Sequence, residues 1–202
     1  MRRAREAGVS LIEMMIAITI AALLMMIGLP SMVTWLNNSQ IRTAGETLLA
    51  GLTLARVEAV KRNQVVRFQL VSDLTSGCTL TTSGTSWVVS LADPSSACDQ
   101  VPSDTLPPQI IQSKSGSEGT SHVAVAATGA SVVYFNGLGR ITTPGGAANM
   151  TRLVISNPGA GTCTYLDATN GTMRCLRIDI STGGEIKMCD PAVIDTSDPR
   201  IC

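Results

Sequence analysis

The 202-residue sequence contains a single histidine, His122, and has few charged or aromatic residues. Charged residues make up 15% of the chain, well below the roughly 25% of an average soluble domain. One histidine leaves little basis for histidine-dependent catalysis or for a histidine-rich metal site. Basic and acidic residues number 15 each, and a formally neutral chain argues against a strongly basic nucleic-acid-binding protein. Hydrophobic residues reach 45%, which argues against a disordered chain.

The motifs of common enzymes and metal sites are missing as well. The sequence has no G-x-S-x-G, no H-E-x-x-H and no C-x-x-C. We therefore predict that the protein is not an enzyme and that it uses no cofactor and no metal ion. His122 is predicted to be an ordinary strand residue. Asp190, Asp195 and Asp198 are predicted to form a solvated acidic tail, in preference to a carboxylate pair or a calcium site.

The hydrophobic residues are concentrated near the N-terminus. Residues 1–8 carry three arginines and one glutamate, and residues 9–29 form an apolar run whose one charged residue is Glu13. A helix of this length crosses the roughly 30 Å hydrocarbon core of a bilayer, and the arginines favour a cytoplasmic N-terminus. A secretory signal peptide would have a shorter apolar region and a cleavage site of small residues after it. A plain signal anchor would leave Glu13 unexplained, because charges within membrane helices usually mark a function.

Gly8, the following Val-Ser-Leu-Ile-Glu and the long apolar run resemble the type III signal sequence of type IV pilins and pseudopilins. Pro30 stands where this family usually has a proline that bends the helix. The resemblance implies that a prepilin peptidase cleaves between Gly8 and Val9 and then methylates the new α-amine of Val9. The family usually has Phe or Met at the position of Val9.

This processing suggests a role for Glu13. If parallel helices pack with an axial stagger in a filament, the Glu13 carboxylate of one subunit can meet the α-amine of a neighbour. Each charge alone is costly in an apolar core, and the pair offsets part of that cost. The alternative is an unpaired Glu13 that burial keeps protonated.

After Pro30 the apolar residues recur every three or four positions, which indicates one face of a helix. They are Ile41, Ala44, Leu48, Leu52, Ala55 and Ala59. We predict one helix from Val9 to about Arg62, roughly 80 Å long, which Pro30 bends and Asn63 caps. Residues 52–63 (LTLARVEAVKRN) resemble the "LARSEAIKRN" stretch of the GspH/FimT family of minor pilins and pseudopilins. A generic Ala-rich amphipathic helix is the alternative.

From Gln64 onward, short alternating or β-branched runs predict strands, with turn signals at Asn136-Gly137 and Gly183-Gly184. The predicted strands are Val65–Val71, Ser86–Leu91, Gln109–Gln112, His122–Ala127, Ser131–Phe135, Thr151–Ser156, Met173–Ile180 and Glu185–Cys189. The predicted fold is α+β and type IV pilin-like: a long N-terminal helix, transmembrane in its first half, packs on an antiparallel β-sheet domain. The predicted segments are a leader (1–8), a membrane and filament-core helix (9–30), an amphipathic helix (31–63) and a disulfide-stapled β-domain (64–202).

The β-domain extends the resemblance to the GspH/FimT family. Phe135–Arg140 is similar to a hairpin of the family, and residues 173–178 and 183–191 are similar to its last strands and their Cys-Asp-Pro ending. Six cysteines allow 15 pairings. The simplest local set is Cys78–Cys98, Cys163–Cys175 and Cys189–Cys202, and a Cys175–Cys189 bridge competes with it.

Duplex DNA is a possible partner but not a favoured one. From Gln64 onward there are 8 basic and 11 acidic residues, although phosphate binding depends on clustered Lys and Arg. Some relatives in the resembled family bind DNA with two basic residues in the last hairpin, where this chain has Glu185 and Lys187. Arg174 and Arg177 are predicted on opposite faces of a strand. The residues to test for DNA contact are Arg140, Arg152 and Lys187.

The resemblance implies a minor pilin or pseudopilin of a type IV pilus or a type II secretion system, placed near the filament tip to prime assembly. It further implies a single pass through the bacterial inner membrane, with the C-terminal domain in the periplasm before incorporation into the filament. The expected partners are other major and minor pilins or pseudopilins, the prepilin peptidase and the inner-membrane assembly platform. The alternatives are a DNA-binding minor pilin for DNA uptake and a membrane-anchored periplasmic domain that never polymerises.

Overall fold

The computed structural model describes residues 10–117, 120, 122–164, 171 and 173–202, with the backbone alone for residues 27–31. The chain divides into one unit up to Asn37 and a second unit from Asn38 to Cys202. A single helix, α1 (Leu11–Arg62), contributes residues to both units. The predicted helix is therefore confirmed from Leu11 onward, and Val9 lies outside the described residues.

In the second unit α1 buries the face that the sequence pattern marks. All six apolar residues of that face are at most 1% exposed: Ile41, Ala44, Leu48, Leu52, Ala55 and Ala59. Three of these six residues are alanines, which lets the helix lie close to the sheet. A Cβ at Gly51 would lie 2.9 Å from Cε2 of Phe68 and 3.0 Å from ring atoms of Trp87. The contact between helix and sheet therefore requires glycine at this position.

The helix ends in a Schellman motif built around Asn63. Asn63 has a φ of 49°, in the left-handed region that glycine and asparagine tolerate best. Its N–H donates to the Val60 carbonyl at 3.3 Å, and the Gln64 N–H donates to the Ala59 carbonyl at 3.2 Å. These two bonds use carbonyls that the end of a helix leaves without partners. The predicted cap is confirmed.

All eight predicted strands are present, with ends that differ from the predicted ends by at most three residues. They are β1 (Val66–Val71), β2 (Ser86–Ser90), β3 (Ile110–Lys114), β4 (Ala124–Thr128), β5 (Val132–Phe135), β6 (Arg152–Ser156), β7 (Leu176–Ile180) and β8 (Ile186–Cys189). A short 3₁₀ helix at Pro144–Gly146 precedes β6. The strands sort into two antiparallel sheets, with the orders β3-β2-β1-β5 and β4-β6-β7-β8.

The two sheets share one core with the helix. The largest cluster joins the buried face of α1 with Phe68 of β1, Phe135 of β5, Ile155 of β6 and Ile178 of β7. A second, smaller cluster contains Val71, Val88 and Ile110, together with both cysteines of the Cys78–Cys98 disulfide. Both faces of the first sheet are therefore covered, one by the helix and one by a disulfide-closed loop.

The structure forms the local set of disulfides: Cys78–Cys98, Cys163–Cys175 and Cys189–Cys202. The competing Cys175–Cys189 bridge is not formed. Cys175 precedes β7, and Cys189 lies opposite Arg177 in the antiparallel pairing of β7 with β8. Cys175 is bonded to Cys163 and Cys189 to Cys202, and both partners lie outside the hairpin of β7 and β8.

Three local predictions are wrong. His122 lies exposed in a turn, because the pairing of β4 with β6 begins only at Ala124. Arg174 also lies outside a strand, since β7 begins at Leu176, so strand alternation does not set its direction. Asp190 is buried rather than solvated, 5% exposed, and forms an ion pair with Arg174 at 3.5 Å.

Candidate functional site

The first unit exposes large apolar side chains on every side of α1. From Leu11 to Met26 the large apolar residues are all more than half exposed. They are Leu11, Ile12, Met14, Met15, Ile16, Ile18, Ile20, Leu23, Leu24, Met25 and Met26. A helix that is apolar all round normally lies in a protein core or in a membrane. Among the described residues, however, no helix combines the length and apolar character expected of a membrane span.

Glu13 lies in the first turn of this apolar segment. The Ser10 hydroxyl accepts the Glu13 N–H at 3.4 Å, which is the first half of a Ser-x-x-Glu capping box. This N-terminal cap could have been found in the sequence from the three-residue spacing of Ser10 and Glu13. The Glu13 carboxylate is exposed and has no ion-pair partner within the described part of the chain.

The roles predicted for Gly8, Val9 and Pro30 in the N-terminal segment remain predictions. Gly8 and Val9, the predicted cleavage and methylation positions, lie outside the described residues. The backbone of α1 is helical through position 30. The bend predicted at Pro30 remains untested, since the side chains at 27–31 are not described.

The second sheet brings two of the predicted DNA-contact residues onto one face but places an acid between them. Arg152 of β6 pairs across the sheet with Asp179 of β7, which in turn pairs with Lys187 of β8. The Arg152 Nε donates to the Asp179 carboxylate at 2.8 Å, and Arg177 contacts the other oxygen of this carboxylate at 2.8 Å. Part of the positive charge of this face is therefore neutralised within the chain.

Arg140, the third of these candidates, lies in the loop after β5. The Gly139 carbonyl beside it accepts a hydrogen bond from Nε of Arg56 on α1 at 3.1 Å. The Ile141 N–H donates to the Thr182 carbonyl in the turn between β7 and β8 at 3.3 Å. The backbone around Arg140 therefore links the helix to the turn between β7 and β8.

The end of α1 holds a network of four charged groups. The Glu58 carboxylate accepts hydrogen bonds from Arg62 at 2.7 Å and from Lys61 at 3.0 Å. Arg62 also donates to Asp104, in the loop before β3, at 2.7 Å. The hydrogen bonds from Arg62 and then Lys61 lower the pKa of Glu58, against the opposing effect of burial. The Glu58–Arg62 pair joins residues four positions apart on one helix, whereas the contact with Asp104 depends on the tertiary structure.

Within the described residues, no group of three or more His, Cys, Asp or Glu side chains is arranged to hold a metal ion. The charged side chains instead form ion pairs within the chain, such as Arg67 with Asp93 at 3.3 Å and Arg200 with Asp198 at 2.6 Å.

Two family models match the chain. Residues 44–184 match the type II transport protein GspH, and residues 3–29 match the prokaryotic N-terminal methylation motif. No curated protein matches the chain at a significant level. Two crystal structures of the type IV minor pilin FimU from Pseudomonas aeruginosa (strain PAO1) are similar, each 18% identical. One match covers 77% of this chain and 98% of that chain with a TM-score of 0.42, and the other covers 79% and 95% with a TM-score of 0.43.

Proposed function

The chain belongs to the GspH family of type II transport proteins, and from this membership we propose that it is a non-enzymatic subunit of a pilin-type filament. The filament is a type IV pilus or the corresponding filament of a type II secretion system. Both family matches belong to structural proteins of the pilin type. The proposed role is therefore assembly rather than catalysis.

The observation that carries the proposal is the exposed apolar segment of α1 with Glu13 at its start. Side chains from Leu11 to Met26 are exposed all round, and the hydrophobic effect favours their transfer out of water. A bilayer before assembly and the neighbouring helices of a filament after assembly would both cover them. One acid in this segment is costly in hydrocarbon unless it finds a partner.

We propose that the partner of Glu13 is the α-amine of a neighbouring subunit. Cleavage between Gly8 and Val9 would create this amine four residues before Glu13, and methylation of Val9 would leave it positively charged. The methylation motif at residues 3–29 supports the processing step. Before assembly the chain would cross the bacterial inner membrane once, with its N-terminus in the cytoplasm and the β-domain in the periplasm.

The proposed partners are other pilins or pseudopilins, the prepilin peptidase and the inner-membrane assembly platform. Within the filament we propose a place near the tip, where a minor subunit would prime assembly. Detection of the protein in sheared pilus preparations would assign it to a type IV pilus. A secretion defect without a pilus defect, after deletion of its gene, would assign it to a type II secretion system.

The first experiment is the intact mass of the protein from cells with and without the prepilin peptidase. We expect loss of residues 1–8 and gain of one methyl group only when the peptidase is present. An uncleaved N-terminus in the presence of the peptidase would contradict the proposal. It would favour a membrane-anchored periplasmic domain that does not polymerise.

The second experiment changes Glu13. Glu13→Ala should remove the protein from the filament while leaving cleavage after Gly8 intact, because the carboxylate acts in the contact between subunits. Glu46→Ala is the matched control, since Glu46 is an exposed acid on the same helix but in the part that belongs to the second unit. Normal incorporation of the Glu13→Ala protein would overturn the proposed pairing.

A further inference from the structure

The outermost strands of the two sheets are β3 and β5 in the first sheet and β4 and β8 in the second. An outermost strand presents a row of backbone N–H and C=O groups without partners, and such a row can pair with another strand. Proteins therefore usually cover, bend or interrupt their sheet edges. In this protein β3, β4 and β5 are treated in this way, whereas β8 is not.

Neighbouring segments of the chain cover the edges of β4 and β5. On β4, the Ala127 N–H donates to the Thr82 carbonyl at 2.7 Å. On β5, the Met150 N–H donates to the Val132 carbonyl at 2.7 Å. Backbone groups on the outer side of both strands therefore have partners within the chain.

The edge of β3 is irregular. Its pairing with β2 shifts register between Val89 and Ser90, as in a β-bulge, which bends a strand and disturbs further pairing. The Ser103 N–H also donates to the Ile110 carbonyl at the start of β3, at 3.0 Å. A second strand would therefore meet a distorted and partly occupied edge here.

The edge of β8 is regular. All four residues of β8 pair with β7 in one continuous register. In the turn before β8 the Ser181 N–H donates to the Glu185 carbonyl at 2.9 Å, so the backbone carbonyl of Glu185 faces β7. Backbone groups alternate in direction along an antiparallel strand, so the N–H and C=O groups of Ile186 and Met188 point away from β7. We call these outward groups of Ile186 and Met188 the open edge.

The C-terminal tail confirms this direction and stops short of the open edge. The Asp190 N–H, two positions beyond Met188, donates to the Arg200 carbonyl in the tail at 2.8 Å. The Cys189–Cys202 disulfide fastens the tail beside this bond. In the ranges that the structure describes, no backbone group bonds to the outward groups of Ile186 and Met188.

The two faces of β8 determine which side chains an added strand would carry. A Cβ at Gly45 would lie 3.0 Å from Sδ of Met188, so the half-buried side chains of Ile186 and Met188 face α1. Lys187 faces the other side and is exposed. Its cross-strand neighbour Asp179 already pairs with two arginines, and Lys187 forms no ion pair with any residue that the structure describes. An added strand would therefore carry apolar side chains toward α1 and an acidic side chain toward Lys187.

We propose that the open edge binds an extended segment of a different subunit as an added strand. Backbone hydrogen bonds to Ile186 and Met188 would provide affinity, and alternate side chains would provide specificity. A helix bonds its own backbone groups along its length, so it cannot use this row. The contact rests on the proposed place of the chain in a pilin-type filament, where a minor subunit meets subunits of other kinds. It involves other residues than the proposed pairing through Glu13.

The test is hydrogen exchange of the full chain, measured residue by residue with fragmentation in the mass spectrometer. The chain is compared alone in detergent micelles and in complexes isolated by an affinity tag from cells that make the filament. In the free chain the Ile186 and Met188 amides should exchange quickly, whereas the Lys187 amide, which faces β7, should exchange slowly. In the complex the first two should slow by roughly a hundredfold, as for a strand that opens about 1% of the time.

Unchanged exchange at Ile186 and Met188 in a complex that contains another pilin-type subunit would overturn the proposal. The Lys187 amide is the internal reference, because it is paired within the chain in both samples. Slowing of all three amides together would indicate a change in the whole hairpin and would also count against an added strand.

Photo-crosslinking in the same cells identifies the bound segment. Benzoylphenylalanine replaces Glu185, which is exposed immediately before β8. We expect an adduct with another pilin-type subunit, at a segment in which apolar residues alternate with polar or acidic ones. An adduct that joins two copies of this chain, or one that maps to a helix of the other subunit, would overturn the proposal.

Variants of β8 separate backbone from side-chain effects. Met188→Pro removes the outward N–H and should lower the adduct yield about tenfold below that of Met188→Ala, which loses the same packing but keeps the N–H. Equal yields from the two variants would contradict the backbone contact. Lys187→Glu should also lower the yield, whereas Lys187→Arg, which keeps the charge, should retain most of it.

Failure of this contact is distinguishable from failure of the proposed function. A chain that stays uncleaved and isolates without any pilin-type subunit would overturn both. A cleaved chain that enters the filament with the Ile186 and Met188 amides unprotected would overturn the added strand alone.

Discussion

Single residues determine how closely the helix approaches the first sheet and how its last turn is held. Gly51 gives the Phe68 and Trp87 rings their place against α1, since any side chain there would overlap both. Glu58 is 8% exposed and forms ion pairs with two basic side chains of the last turn. Gly51 acts through shape at the contact between helix and sheet, whereas Glu58 acts through charge within the last turn of the helix.

Gly51→Leu is expected to destabilise the β-domain by about 3 kcal/mol, because overpacking forces rings and backbone apart. Leucine has a higher helix propensity than glycine, so the substitution should by itself stabilise the helix. A loss of stability would therefore come from the packing. The measurement is thermal unfolding of the full chain in micelles, followed by tryptophan fluorescence. Ala50→Leu, at an exposed position one residue earlier, is the control and should be near neutral.

Glu58 should contribute to acid sensitivity. Its pKa in the folded protein lies below the ordinary value of 4.5, so its stabilising effect is complete above pH 4.5. The effect is lost as the pH falls through the lower folded-state pKa. Glu58→Gln should therefore reduce stability at pH 7 more than at pH 3. The exposed Glu46→Gln should show little change at either pH, because surface ion pairs contribute little.

At the scale of elements, the end of α1 and the sorting of the strands organise the β-domain. The Schellman motif at Asn63 ends the helix and directs the chain into β1 at Val66. β4 pairs with β6 in the second sheet, whereas β5, the next strand, pairs with β1 in the first. Consecutive strands thus belong to different sheets, and the helix covers the core that both sheets share.

Asn63→Ala is expected to cost about 1 kcal/mol, because alanine is strained at a φ of 49°. Asn63→Gly should be neutral or slightly stabilising, since glycine adopts this conformation freely. Comparison of the two unfolding midpoints isolates the backbone conformation from the loss of the side chain. Equal losses in both variants would show that side-chain contacts of Asn63 dominate.

At the scale of the whole molecule, charge is balanced overall and paired locally. The chain carries 15 basic and 15 acidic residues. On the second sheet the Asp179 carboxylate contacts both Arg152 and Arg177, so two of the three basic residues on this face share an acid. Asp179 therefore interrupts the cationic surface that a phosphate backbone would need. The interruption lies between Arg152 and Lys187, two of the residues predicted to contact DNA.

We expect the full chain to show no salt-sensitive affinity for duplex DNA. Phosphate contacts release counterions, so a DNA-binding protein would lose affinity steeply as salt rises. Fluorescence anisotropy with a labelled duplex at several salt concentrations checks this. Asp179→Asn, which frees both arginines, is the sensitised variant. Tight, salt-dependent binding of the unaltered protein that Arg152→Ala and Lys187→Ala weaken would instead support DNA uptake.

The sequence by itself determined the helix, its buried face, its cap and the eight strands. These features follow from local rules: the three-and-four spacing of apolar residues, the tolerance of asparagine for left-handed backbone, and alternation between turn residues. The cysteine spacing also favoured the local disulfide set, because short loops close at the least entropic cost. The resemblance of the leader and of residues 52–63 identified the family, which the match at residues 44–184 confirms.

Only the tertiary structure decided the division into two sheets, the burial of Asp190 and the position of Asp179 between Arg152 and Lys187. Each depends on which strands become neighbours, and residues far apart in the chain determine that. One groove is likewise lined by arginines from a helix, a loop and the tail: Arg42, Arg174 and Arg200. A local pattern records the preference of a segment for helix or strand, whereas long-range packing sets which charges and surfaces meet.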